Sequence, residues 1–256
     1  MRILLGALLL IGLAGCGGGG GGGQTVAPPV VNQSVGGIWQ GKDSDGDDIV
    51  ALVTEDGRFH FIDPLGQGFG SMSVSAGNQV SASFTDVADF GTTFSDGSTS
   101  AICTLSGTVV ERQSLAVSSQ CTSTLGNTHQ VSATLTFNVL YNRDASLATI
   151  AGLYDDQGDV LNINSAGVLF EQDATDGCVL NGQVSVVNPA YDSYQVQFTV
   201  SNCNANLAQL NGTSWTGIGT LDNTASPEEL IFGVVGDVTL SGTPTKFAIV
   251  GQAPRT

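Results

Sequence analysis

Four aspartates fall within six residues of the stretch KDSDGDDI, residues 42 to 49: Asp43, Asp45, Asp47 and Asp48, with Gly46 among them. Carboxylates at that density could hold a divalent cation or divide acid and base roles between them. A twelve-residue calcium loop needs oxygen ligands at positions 1, 3, 5, 7, 9 and 12, with glycine at 6. Counted from Asp43, positions 3 and 5 are Asp45 and Asp47, but the glycine comes early, at Gly46, and positions 9 and 12 are Ala51 and Thr54. The closing ligands are missing. The stretch is expected to be a turn between strands, where glycine supplies positive φ. Asp43, Asp45 and Asp47 remain a weak candidate for a divalent ion, and no metal site or cofactor is assigned.

Other catalytic patterns are equally thin. Serine catalysis needs a base oriented by a third group, and the histidines are His60 and His129. His60 sits in FHFI, facing opposite Phe59 and Phe61, as an ordinary strand residue; His129 follows the polar run STLGNT and begins a strand. There is no GxSxG, HExxH or SxxK, and Lys42 and Lys246 lie outside any such context. The glycine run Gly17 to Gly23 precedes no helical pattern and lacks the GKS or GKT ending of a phosphate loop. The chain is therefore expected to be no enzyme, with no catalytic residue. Trp39, Tyr154 and Trp215, in GIWQG, GLYDD and TSWTG, admit two readings: rings that plug a barrel end, or stacking platforms for a sugar or small apolar ligand. Tyr191 and Tyr194 of YDSY offer a further surface for protein contact.

What must position these residues begins with a leader. MRILLGALLLIGLAGC has one Arg, an apolar run from Ile3 to Leu13 and small residues before Cys16. The run is shorter than the ~20 residues a spanning helix needs and has the regions of a signal peptide over residues 1–15. LAGC, Leu13 to Cys16, resembles the lipobox of bacterial lipoproteins. That resemblance implies lipidation at Cys16, palmitate and diacylglycerol included, and membrane attachment through the lipid. Gly17, by analogy with enterobacterial sorting, points to the outer membrane. Two or more acyl chains suffice for stable anchoring. Residues 16–35, glycines followed by QTVAPPVVNQSV, have no apolar period and read as a flexible tether.

Lys and Arg number 7 against 23 Asp and Glu, a net charge of −16. This excludes nucleic acid, which requires a basic patch, and electrostatic adhesion to anionic lipid. A protein partner remains open. Besides Cys16 there are Cys103, Cys121, Cys178 and Cys203. In an exported chain an even number reads as disulfides. No CxxC accompanies them, so zinc is not expected.

Two halves follow one plan. GIWQGKDSDGDDIVALVTEDGRFHFID (37 to 63) lies over GLYDDQGDVLNINSAGVLFEQD (152 to 173), each an aromatic strand, an acidic turn, an apolar strand, a second turn and a return. Later CTLSGTV (103 to 109) matches CVLNGQV (178 to 184), and each reaches a second cysteine after one more strand. Of three possible pairings, the repeat selects Cys103–Cys121 and Cys178–Cys203. QVQFTV (195 to 200) alternates strictly, while IVALV is apolar on both faces and should be buried on both. No segment after the leader has a capped helical period. The expectation is all-β: two tandem antiparallel meander modules, 36–149 and 150–256, of about eight strands each, as small barrels or sandwiches. A single larger barrel is the alternative. QGFGSMSVSAGNQVSASFTDVADFGTTFSDGS, present in the first half alone, reads as an inserted hairpin with a long loop.

The chain as a whole resembles envelope lipoproteins with a glycine-rich tether and paired β modules opening GxW or GxY. It is also similar to surface lipoproteins with lipocalin-like barrels, some of which bind host proteins. These likenesses imply a non-enzymatic binding or structural module in the bacterial envelope, facing the periplasm or the surface. The alternative is a lipocalin-like carrier of a small apolar ligand, with a hydrolase third. A carrier requires an apolar cavity open at one end; a structural module requires a filled interior.

Overall fold

The computed structural model describes residues 32–156 and 158–256; the signal-like segment 1–15, Cys16 and the glycine run lie outside the described residues. The first half forms eight strands: β1 (Gly37–Lys42), β2 (Asp48–Val53), β3 (Arg58–Asp63), β4 (Gly66–Ser75), β5 (Gln79–Ala88), β6 (Ser100–Val110), β7 (Ser114–Ser123) and β8 (Thr128–Asn138). Each pairs antiparallel with the next. Ile38, Trp39 and Gln40 then face Asn138, Phe137 and Thr136, so that β8 meets β1 and the sheet closes into a barrel.

The second half supplies β9 (Gly152–Asp156), β10 (Asp159–Ile163), β11 (Val168–Gln172), β12 (Val179–Val186), β13 (Tyr194–Ser201), β14 (Ser214–Asp222), β15 (Glu229–Leu240) and β16 (Thr243–Pro254). They form one antiparallel sheet in chain order. The sheet curls until Tyr154 bridges Arg255 and the Thr256 N–H donates to the Leu153 carbonyl at 2.9 Å, which joins one end of the seam between β9 and β16. The fold is thus all-β, with two eight-stranded antiparallel meanders in tandem. Among the described residues no helix is long and apolar enough to cross a membrane.

The repeat is visible in the strands. β1 to β3 correspond to β9 to β11, and the disulfides Cys103–Cys121 and Cys178–Cys203 hold equivalent places. Each closes a loop contributing about 3 kcal/mol in the chain-entropy account. The segment peculiar to the first half is β4, β5 and the loop after them, while the second half reaches eight strands with a terminal hairpin, β15 and β16. Gly57 turns β2 into β3 at φ +85°, and a Cβ there would meet the Met72 carbonyl oxygen at 2.3 Å.

Strand alternation sorts the core. In the barrel Trp39, Ala51, Val53, Phe59, Met72, Leu105, Leu115 and Leu135 point inward and are buried. In the second sheet Tyr154, Ile163, Leu169, Val196, Phe198, Val200, Trp215 and Phe247 do the same. IVALV is buried on both faces because Ala51 and Val53 line the barrel while Leu52, with Ile38, packs outward against Ile218 of β14. A second patch joins Val87 to Val235 and Ala248. Residues 32–256 consequently form one compact unit. The loop after β5 reinforces the join: Asp89 bridges Ala248, the Phe90 N–H donates to the Ala248 carbonyl at 2.8 Å, and the Phe90 ring meets Phe247 edge-on. It thereby occupies the edge of β16, a position where unpaired backbone groups invite aggregation.

His60 belongs to this interface. It faces away from Phe59 and Phe61, as the strand reading expects, and is 8% exposed. Its Nδ1 donates to Gln67 Oε1 at 2.9 Å, and Gln67 Nε2 donates to the Val234 carbonyl of β15 at 2.6 Å. Burial lowers its pKa below the ordinary value, opposed by the Gln67 hydrogen bond and aided by Arg58. A depressed imidazole pKa means that the unfolded chain binds a proton which the native state refuses. The contribution of neutral His60 is therefore complete above about pH 6.5 and is lost as pH falls through its folded value. Thermal unfolding should show a smaller fall in Tm between pH 7.5 and pH 5 for His60→Gln than for the wild type.

Candidate ligand-binding cavity

The barrel is filled at one end and open at the other. At the filled end Trp39 meets Phe137 edge-on at 5.4 Å, Phe59 meets Phe84 at 5.6 Å, and the Trp39 Nε1–H donates to the Val35 carbonyl at 3.0 Å. Towards the other end the inward positions become small or polar: Gly68, Ala101, Ser119, Ser123 and Ala133. A cavity of about 390 Å³ remains, within the range of about 300 to 1,000 Å³ usual for small-ligand sites. Its floor and walls are Ile49, Phe61, Phe84, Leu105, Val117 and Leu135.

Its mouth is acidic. Asp43, Asp45, Asp47, Asp63, Asp86 and Asp96 all line it, with His129 and no Lys or Arg. KDSDGDDI is the β1–β2 turn on this rim. Asp43 Oδ1 accepts the N–H groups of Asp45, Gly46 and Asp47, each at 2.9 Å, and Gly46 has φ +98°. His129 Nε2 donates to Asp45 Oδ2 at 2.8 Å. The turn's own backbone thus satisfies its first carboxylate. Among the described residues, Asp43, Asp45 and Asp47 do not converge as a ligand group; the one such group is Asp86 with Cys103 and Cys121, whose atoms lie within 4.8 Å of one another. Those sulfurs are bonded together and have no thiolate to offer.

Asp63 and Asp86 were not legible as site residues by motif, yet both line the cavity with raised pKa values. Each is in phase with inward phenylalanines, Asp63 at the end of β3 with Phe59 and Phe61, Asp86 two residues before the end of β5 with Phe84. An aspartate in the apolar phase of a strand was the available signal. Asp63 accepts the Leu65 and Gly66 N–H groups at 2.7 and 3.1 Å, and burial still raises its pKa. Asp86 is half-buried at the cavity wall; loss of water, then the neighbouring charge of Asp63, pushes it up to about 7. Asp96 is the opposite case. It accepts from Ser123, Ser98 and Asn127, which holds its carboxyl well below the usual range and ties the loop after β5 to the β7–β8 turn.

The aromatic candidates lie elsewhere. Trp39, Tyr154 and Trp215 are at most 1% exposed and none lines the cavity. Their polar atoms are spent locally: Tyr154 donates to the Ile150 carbonyl at 2.6 Å, and Trp215 Nε1 donates to Thr213 Oγ1 at 2.9 Å. They are buried rings of the packed interior and offer no stacking face to this cavity. Nor is YDSY an exposed surface: Tyr194 is fully buried and Tyr191 stacks on Tyr141 at 4.8 Å, with Arg112 against both rings. A second concavity, about 550 Å³, is a broad solvent-open trough over Ser106, Thr108, Ser118, Ser132 and Thr134 on the barrel's outer wall.

The cavity can accept an apolar body and place its polar end among carboxylates. His129 has a carboxylate partner, but among the described residues its hydrogen bonds include no hydroxyl. Models of known protein families were compared with the chain and none matches, and no curated protein matches it either.

The raised pKa of Asp86 has a sign opposite to that of His60. The native state holds a proton that the unfolded chain releases above about pH 4, so the site costs stability increasingly as pH rises to about 7 and fully above it. Asp86→Asn should raise Tm by a few degrees at pH 8 and leave it nearly unchanged at pH 4, as measured by calorimetry.

Proposed function

We propose that this chain is a non-enzymatic lipoprotein of the bacterial envelope, acylated at Cys16, whose first module binds a small apolar ligand in its barrel. The observation that carries this reading is the 390 Å³ cavity, apolar in its walls and open at one end. A purely structural module needs no such space, since packed interiors leave few voids larger than a water molecule. The second module, whose interior is built of large packed side chains, serves in this reading as a brace that covers the outer faces of β1 to β4.

The outer wall of β6 to β8 supports a water-facing barrel tethered by lipid. Thr104, Ser106, Thr108, Ser118, Gln120, Gln130, Ser132 and Thr134 point outward there, where a lipid-facing barrel would carry an apolar band. Anchorage then rests on the acyl chains that the LAGC resemblance implies, and the outer membrane is the proposed site.

The cavity reading is tested with Nile red, a neutral apolar dye. Its emission should rise on titration with one dye bound per chain, and Ala133→Phe, which fills the cavity wall, should abolish the rise while circular dichroism remains unchanged. An unaltered rise in the variant, or none in the wild type, rejects the reading. Separately, globomycin treatment of expressing cells should accumulate the uncut precursor; indifference to the drug rejects acylation at Cys16.

A further inference from the structure

Asp63 and Asp86 stand on β3 and β5 with β4 between them, Asp63 opposite Gly66 and Asp86 opposite Gly68, two residues further along β4. No Lys or Arg is brought to them, and the basic group that reaches Asp86 is His129, whose charge opposes the rise in the Asp86 pKa without overcoming it. Every described Lys and Arg is paired elsewhere: Lys42 with Asp48, Arg58 with Asp56, Arg112 with Glu55, Arg143 with Asp192, Lys246 with Asp237 and Arg255 with Glu228. His129, the lone basic group on the rim, is held by Asp45. Two carboxyl groups therefore line one apolar-walled cavity that no Lys or Arg of the described residues enters.

Resting on the reading of the barrel as a small-ligand site, we infer that its ligand is an organic cation, an amine or quaternary ammonium head on an apolar body. The head lies between Asp63 and Asp86 and the body against Phe61, Phe84, Leu105 and Leu135. Each part of the cavity recognises one part of such a molecule. The walls gain from burying hydrocarbon. The carboxylates gain a charge-assisted partner in a place where water screens poorly, and the acidic rim focuses attraction on cations approaching the mouth. The two phenylalanine rings also tolerate a cation at their faces. A divalent metal fits less well, because calcium takes six to eight oxygen ligands and the described carboxylates form no group of three within ligand distance. Burial and then the Asp63 charge raise the Asp86 pKa to about 7, so an ammonium head beside it favours the carboxylate form.

Isothermal titration of the full chain with decylamine, decanol and decanoate at pH 7.5 tests this. Decylamine should bind about tenfold to a hundredfold more tightly than decanol, with decanoate weakest. The double variant Asp63→Asn, Asp86→Asn, which removes repulsion and so keeps the fold, should lose the preference for the amine while retaining decanol affinity. Equal affinity for amine and alcohol overturns the inference but leaves the cavity reading standing. A preference that survives in the double variant also overturns it, by assigning the attraction to the acidic surface at large. Binding of calcium alone, lost in the double variant and without any amine preference, overturns it in favour of a metal. Failure of all three decyl probes overturns the cavity reading as well.

Discussion

Closure of the first sheet drives aspartates into a barrel interior. Once β8 pairs with β1, alternate residues of each strand share one enclosed face, and Asp63 and Asp86 lie in phase with the rings beneath them. The upper half of the barrel can then neither collapse, because its inward side chains are small or mutually repelling, nor fill itself with charge, because the basic residues are committed elsewhere. The open space, the raised Asp86 and the acidic mouth share this cause.

The second module makes that arrangement tolerable. A barrel that spends part of its interior on an open cavity forgoes packing contacts, each small but large in sum. Ile38, Leu52, Val87 and His60 recover burial on the outer faces of the same strands. Gln67 links the halves by joining His60 to the β15 backbone. The interface and the cavity are thus two sides of one set of strands. Their pH responses run in opposite senses because one buried group is a base and the other an acid.

Much of this was legible residue by residue. The match of CTLSGTV with CVLNGQV paired the four cysteines correctly, because duplicated strands carry duplicated geometry. The alternation of QVQFTV and FHFI assigned faces correctly, since a period of two leaves little choice. KDSDGDDI was readable as a turn because a calcium loop begun at Asp43 would need glycine where Asp48 stands and closing ligands where Ala51 and Thr54 stand. Trp39, Tyr154 and Trp215 resisted decision, because a ring beside a turn looks the same in sequence whether it plugs a core or greets a ligand. Tyr194 misled for a related reason: YDSY has the composition of a loop tip, but strand β13 begins at its last residue and turns that ring inward.

By itself, then, the sequence determined the strand-rich chemistry, the twofold plan, the sulfur pairing and the strongly negative charge, all of which are local or repeat-encoded. The tertiary structure alone decided which half closes, that its upper interior stays open, and that Asp63, Asp86 and the KDSDGDDI turn share one mouth. Those outcomes depend on pairings such as Ile38 with Asn138. Contacts between residues so far apart along the chain follow from barrel closure and leave no trace in any short window of sequence.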